Sequence, residues 1–159
     1  MSQHLPYRQR VPMVAGDATG PAWAARFLAA HNYERRARGL PPLSPSERLD
    51  SVAQLRVDDM VAEEYFGHDD PTDDPHRIDG KYFDVMQQLG ITGWHWAGEN
   101  LQMNNYDDPF PIAMDRLMNS PTHRANILDP EYTHLGAAAQ INNRATFVFA
   151  CIYTSGGDV

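Results

Sequence analysis

An α/β domain, with a small sheet covered by helices on both sides, is the fold the sequence predicts, and three observations predict it. Several segments repeat apolar residues at three- and four-residue spacing between helix start and stop signals. Near the end, two apolar stretches, His134 to Ile141 and Ala145 to Thr154, flank Asn142-Asn143, a pair that tolerates the positive φ of a tight hairpin turn. In the second stretch both alternating sets are apolar, Phe147, Phe149 and Cys151 on one side and Val148, Ala150 and Ile152 on the other, so both faces of the sheet need cover.

With 159 residues, 42% of them hydrophobic, the chain suits one domain with a real core. The expected layout is an extended arm over 1–20, rich in Pro and Gly, a domain over 21–156 and a short tail over 157–159. The first helix runs from Ala22 to Arg38, with Trp23, Phe27, Ala30 and His31 on its inner face and Gly39 as its stop. After the connector Leu40-Pro41-Pro42-Leu43, the string Ser44-Pro45-Ser46-Glu47 supplies a capping hydroxyl, a proline at the first helical position and an acid three residues past the cap. This predicts a second helix over 45–64 with Leu49, Val52, Ala53, Arg56 and Met60 on one face.

Residues 67–79 are dominated by Asp and Pro and read as a loop. A third helix is expected over 80–89, with Tyr82 or Phe83, Met86 and Leu89 inward and Gly90 closing it. A short buried strand around Glu99 and a polar loop over 104–108 follow. Asp108-Pro109 opens a fourth helix through Ile112, Ala113, Arg116 and Leu117, which stops near Asn119 because Pro121 pushes Ser120 out of the helical region.

Charge and cysteine usage exclude several functions. A net charge of −8 and a pI near 5.2 oppose a phosphate-rich partner, and the densest basic group, Arg35, Arg36 and Arg38, is small, so nucleic acid is not expected as a ligand. Cys151 is the single cysteine, which rules out an internal disulfide and a Cys-based zinc cluster, and its apolar strand marks it as packing. No run reaches the roughly 18 apolar residues of a membrane span, and the start, Met1 to Arg10, is too polar for a signal peptide.

The chemistry centres on Gly98-Glu99-Asn100-Leu101, where a carboxylate and a carboxamide enter a strand flanked by Trp94, Trp96 and Met103. A carboxylate in an apolar setting must find a partner, and His68, His123 and His134 are the candidates. The expectation is one polar cleft that holds Glu99 with two or more of these imidazoles. Two neutral imidazoles, His68 and His123, together with a carboxylate can hold Zn²⁺ with a position open for water, lowering the water's pKa toward ~7 so that Glu99 or Glu131 acts as base. The residues are far apart in order and form no local metal motif. The structural alternative has Glu99 accept hydrogen bonds from backbone and His68, holding the loop that starts at Gly67 against the sheet. His123 can equally lock the exit from the fourth helix, with Arg124 and Asn126 doing similar work. His31 reads as a satisfied buried histidine, His76 and His95 as surface or packing groups, and Asp69 to Asp74 as solvated charge without the Gly and Glu of a calcium loop.

Five pieces, His31-Asn32-Tyr33-Glu34-Arg35, Phe66-Gly67-His68, Gly98-Glu99-Asn100-Leu101, Met118 through Leu128 (with Ser120-Pro121-Thr122-His123-Arg124) and Tyr132-Thr133-His134-Leu135-Gly136, occur in this order. Together they resemble the CAP superfamily of cysteine-rich secretory proteins, antigen 5 and pathogenesis-related proteins, also called the SCP domain, in its bacterial form. The resemblance covers about residues 22 to 154. It implies an α-β-α sandwich with a small, mainly antiparallel central sheet, secreted or at the cell surface, with a cleft that in eukaryotic members holds two His and two Glu and in some binds zinc or another divalent cation. His68 matches the first histidine and Glu99 the glutamate of the Gly-Glu-Asn motif. Two positions depart: Glu131 precedes Tyr132-Thr133 where the second histidine would stand, and the Asn119-Ser120 region replaces the second glutamate, so His123 and His134 are left as spatial substitutes. Asn100, Ser120, Arg124 and Asn126 belong to the motifs.

The leading expectation is an extracellular, monomeric binding module whose cleft takes a small ligand or a divalent cation without catalysis. The first rival is a metal-dependent hydrolase of peptide or cell-wall material, with His68 and His123 as ligands and Glu99 as base. The second is a lipid or sterol binder with a groove lined by Trp94, Trp96, Met103 and Phe110. A cell-wall or surface component is a further possible partner.

Overall fold

The computed structural model describes residues 21–69 and 80–159. The expected arm over 1–20 and most of the acidic loop, including His76, lie outside them. In chain order the elements are α1 (Pro21–Arg36), β1 (Ser44–Pro45), α2 (Glu47–Ala62), α3 (Lys81–Gln88), β2 (Trp94–Asn104), α4 (Pro109–Asn119), α5 (Pro121–Ile127), β3 (His134–Ile141) and β4 (Phe147–Gly156). The strands form one sheet in the order β1-β3-β4-β2. Only the β1–β3 pair is parallel; β3–β4 and β4–β2 are antiparallel.

The alternation in β4 builds two cores, one on each face. Phe149, Cys151 and Tyr153 join Leu135, Ala137 and Ala139 of β3 against α1, α4 and α5. Val148, Ala150 and Ile152 join Ala138 of β3 and Leu101 of β2 against α2 and α3. The molecule is thus an α-β-α sandwich. In the first layer Phe27 meets Phe110 and Phe149 edge-on, with ring centroids 5.0 and 5.4 Å apart, the geometry that the aromatic quadrupole favours. Burying each such ring is worth roughly 1.5–3 kcal/mol.

Two glycines let elements approach closely. A side chain at Gly136 would meet the backbone of Leu49, so α2 rests directly on β3 there. A side chain at Gly98 would meet the Tyr132 hydroxyl, whose ring stacks on Tyr153 at 5.3 Å.

Three local expectations need correction. The second helix starts at Glu47 rather than at Pro45, with Ser46 as its cap: Ser46 Oγ accepts from Leu49 N–H at 3.1 Å. Ser44 and Pro45 are drawn instead into a parallel bridge with β3, where Ser44 N–H donates to Thr133 O (2.8 Å). The hairpin loop is wider than Asn142-Asn143. Asn142 Oδ1 accepts from the N–H groups of Arg144 (2.9 Å) and Thr146 (3.0 Å), and the positive φ, 55°, falls on Ala145. Finally, Pro121 does end α4 by holding Ser120 extended (φ −97°, ψ 120°), and it then serves as the first residue of α5, a further helix that the sequence did not lead us to expect.

β2 is an outer strand of 11 residues, and a strand so placed needs its outward backbone groups occupied. Side chains do this: Tyr82 Oη donates to Ala97 O (3.2 Å) and Asn126 Nδ2 to Glu99 O (3.5 Å). At the chain end, Asp158 N–H donates to Thr92 O (2.8 Å) and the Asp158 carboxylate pairs with Arg48 (3.0 Å).

Candidate functional site

Strand alternation places Glu99 on the α2 side of β2, in line with Ile152 across the ladder. There it meets Arg56, the polar member of the otherwise apolar stripe of α2. Both side chains are fully buried, 0% exposed, and Arg56 Nε donates to Glu99 Oε2 at 2.8 Å, with Nη2 reaching Oε1 at 3.3 Å. The guanidinium also donates from Nη1 to Tyr65 Oη (2.7 Å) and from Nη2 to the carbonyls of Gly67 (2.7 Å) and His68 (3.3 Å). The Tyr65 hydroxyl donates in turn to Asp59 Oδ2 at 2.5 Å. One arginine therefore fixes the segment after α2 onto the helix and neutralises the buried carboxylate, which removes most of the cost of burying either charge.

His68 completes the group. Its Nδ1 lies 2.8 Å from Glu99 Oε1, while the side chain is 51% exposed, so the opposite ring edge faces solvent. The bond to Glu99 raises the His68 pKa above its ordinary value, against the smaller opposing effect of burial.

Asn100, the next residue, points into the other layer and joins a directional chain of hydrogen bonds. Asn126 Nδ2 donates to Asn100 Oδ1 (2.8 Å), and Asn100 Nδ2 donates to Tyr153 Oη (3.1 Å) and to the backbone oxygen of His123 (2.9 Å). Beyond it, His31 Nδ1 lies 2.7 Å from Phe27 O, which can only accept, so Nδ1 carries the proton and Nε2 accepts from the Tyr153 hydroxyl (2.7 Å). Burial pushes the His31 pKa down to about 4, in keeping with this neutral ring. Burial likewise pushes the Cys151 thiol far above its ordinary value, which leaves it inert packing.

Of the residues singled out from sequence, His68 and Glu99 are in contact, and His123 lies near enough to His68 to feel its charge. The pKa of His123 is lowered, chiefly by burial and then by His68, and its Nδ1 sits 2.8 Å from Ser120 Oγ. His68 comes from the α2 layer, where it bonds Glu99, and His123 from the α1 layer, where its backbone oxygen accepts from Asn100, so both belong to the β2 edge rather than to the middle of the sheet. Glu131 and His134 do not join them. Glu131 is exposed, with its N–H on Asp129 Oδ1 (2.9 Å). His134 starts β3, on the far side of β4 from β2, with Nδ1 2.8 Å from Thr133 Oγ1. Arg124 is exposed.

A divalent cation fits this donor set poorly. Both oxygens of Glu99 are engaged, a guanidinium lies against them, and among the described residues no three His, Cys, Asp or Glu side chains converge. The same engagement places Glu99 poorly for work as a general base. The lipid groove also fails to assemble: Phe110 is buried among the aromatic rings of the α1 layer, Trp94 packs on Phe83 in the opposite layer (5.4 Å), and Trp96 is 61% exposed. Sequence reasoning placed Arg56 on the inner face of its helix but gave it no partner. A charge within Leu49, Val52, Ala53 and Met60 was the available signal.

The sequence model of the cysteine-rich secretory protein family, CAP, matches residues 28–153, in keeping with the fold. The chain belongs to the CAP family. Among curated proteins, YkwD of Bacillus subtilis is 36% identical to this CAP domain over 115 residues, which is 72% of this chain and 41% of that protein. The chain therefore spans less than half the length of this relative. Among solved structures, an extracellular protein containing an SCP domain from Bacillus anthracis superposes with a TM-score of 0.67 at 25% identity, covering 84% of this chain and 40% of that one. An outer surface protein from Borrelia burgdorferi shares the CAP fold, with a TM-score of 0.65 at 14% identity over 81% of this chain and 89% of that one.

Proposed function

We propose that this CAP domain is a non-catalytic binding module that works outside the cell and takes a small anionic ligand, a carboxylate or phosphate group, between His68 and His123. One observation carries the reading: a fully buried Arg56–Glu99 pair holds His68 by Nδ1 and presents the rest of its half-exposed ring to solvent. That arrangement orients a ring whose pKa the bond to Glu99 raises, which favours its protonated, hydrogen-bond-donating form. The lowered pKa of His123 adds a neutral donor or acceptor beside it. The Bacillus anthracis relative, an extracellular protein, supports the location.

The test is an NMR titration of the full chain with inorganic phosphate and, separately, with Zn²⁺. Phosphate is expected to shift the His68 and His123 ring signals, to bind more weakly as pH rises through the His68 pKa, and to lose its effect in His68→Ala. Tight Zn²⁺ binding abolished by both His68→Ala and Glu99→Ala would overturn the reading in favour of a cation site. Chelator-sensitive cleavage of peptide or cell-wall material, lost in Glu99→Gln, would overturn it in favour of a hydrolase.

A further inference from the structure

At the opposite edge of the sheet from His68, the two helical layers leave a gap. β1 covers β3 for only two residues, Ser44 against His134 and Pro45 against Leu135, before the chain turns into α2. Past that point the edge of β3 lies between α1 and α2, in a groove of about 640 Å³, within the roughly 300–1,000 Å³ of small-molecule sites. Its apolar surface comes from Ala25 and Leu28 of α1 and from Leu135 and Ala137 of β3, and the alanines are too small to fill it.

The α2 wall is acidic. Glu47 and Asp50 line it, and among the described residues neither carboxylate has an ion pair. Among the described residues no basic side chain lines the groove. Asp50 is half-buried; burial raises its pKa against the smaller opposing effect of the hydrogen bond from Ala137 N–H, and the nearby charge of Glu47 adds to the rise. Its Oδ1 accepts from Ala137 N–H at 3.0 Å, which leaves the other oxygen for a ligand. That same bond occupies the first outward N–H past β1, so an added peptide strand would have to displace it.

We propose that this groove binds a small cationic amphiphile, an amine with an apolar body, whose ammonium group sits between Glu47 and Asp50 while its chain lies on Ala25, Leu28, Leu135 and Ala137. An ammonium there supplies the counter-charge that the two like carboxylates lack, and the apolar body removes the small side chains of the groove from water. The site is independent of the His68 reading: it lies at the β3 edge of the sheet, with β4 between it and β2, whose outer edge carries the His68 group.

The experiment is a ¹H–¹⁵N NMR titration of the full chain with octylammonium, octanol and octanoate below their micelle concentrations. Octylammonium is expected to shift the amides of Ala25, Leu28, Asp50 and Ala137 saturably, with octanol about tenfold weaker, a difference of about 1.4 kcal/mol, and octanoate weaker still. Asp50→Asn, which keeps an oxygen for Ala137 N–H, should bring octylammonium down to the octanol level without changing octanol; the exposed Glu47→Gln serves as the second variant. Ala25→Trp should abolish all binding, and His68→Ala should change none of it. Octanoate binding as tightly as octylammonium, or shifts confined to other residues, would overturn the proposal. So would shifts of these amides with protein concentration alone, which would assign the groove to a second copy of the chain.

Discussion

Arg56 makes the environment of Glu99 possible, since a carboxylate with 0% exposure has no water to solvate it. Removing one partner strands the other in the interior, so Glu99→Gln is expected to cost roughly 3–5 kcal/mol in a denaturant titration. Replacing both, as Arg56→Met with Glu99→Leu, should recover most of that loss, because neither charge then remains unpaired. Glu99→Gln should also lower the His68 pKa measured by NMR, since the bond to Glu99 is the leading cause of its elevation. The sequence made His68 and Glu99 legible as partners because a buried carboxylate demands one. It could not place Glu131 or His134, whose candidacy rested on order along the chain, whereas contact depends on which strand of the sheet each adjoins. That Asn100 serves the opposite layer from Glu99 was readable from strand alternation.

Among the elements, both long helices of the first half and both strands of the hairpin were legible, since burial imposes the 3.6 and 2.0 periods directly. The errors cluster where a long-range contact competes with a local signal. Ser44-Pro45-Ser46-Glu47 carries two overlapping capping patterns, and pairing with β3 selects the second. Ser46→Ala should therefore cost about 1 kcal/mol by thermal unfolding, with Ser44→Ala close to neutral because its bond to Thr133 uses the main chain. Pro121 is ambiguous in the same way: it forbids the helix before it and favours one after it, and packing of Ile127 into the α1 layer decides for α5.

For the molecule as a whole, two histidines set opposite pH trends. His31, lowered to about 4, stays neutral in the folded state while the unfolded chain gains a proton near 6.5, so stability is full above pH 6.5 and falls as pH drops toward 4. The loss across that window is about 3 kcal/mol. His68 is raised, so its contribution is complete below pH 6.5 and fades as pH rises through its folded value. The fully buried His31 should dominate. Denaturant titrations between pH 4 and 7 are expected to show stability increasing with pH, with the slope largely gone in His31→Gln. The two-layered core and the α/β class were visible in the doubly apolar β4, but the meeting of layers at the edge of β2 was not, because it depends on strand order, which no single segment encodes.

That Glu99 and Asn100 are consecutive, yet serve opposite layers, also bears on how the sheet is assembled. If β2 slid along β4 by one residue, the carboxylate would be driven among the aromatic rings around Tyr153 and Phe149 while Arg56 faced a carboxamide. The mispaired sheet would hold two isolated charges at once. The group that presents His68 to solvent therefore also proofreads the folding of the strand that carries it.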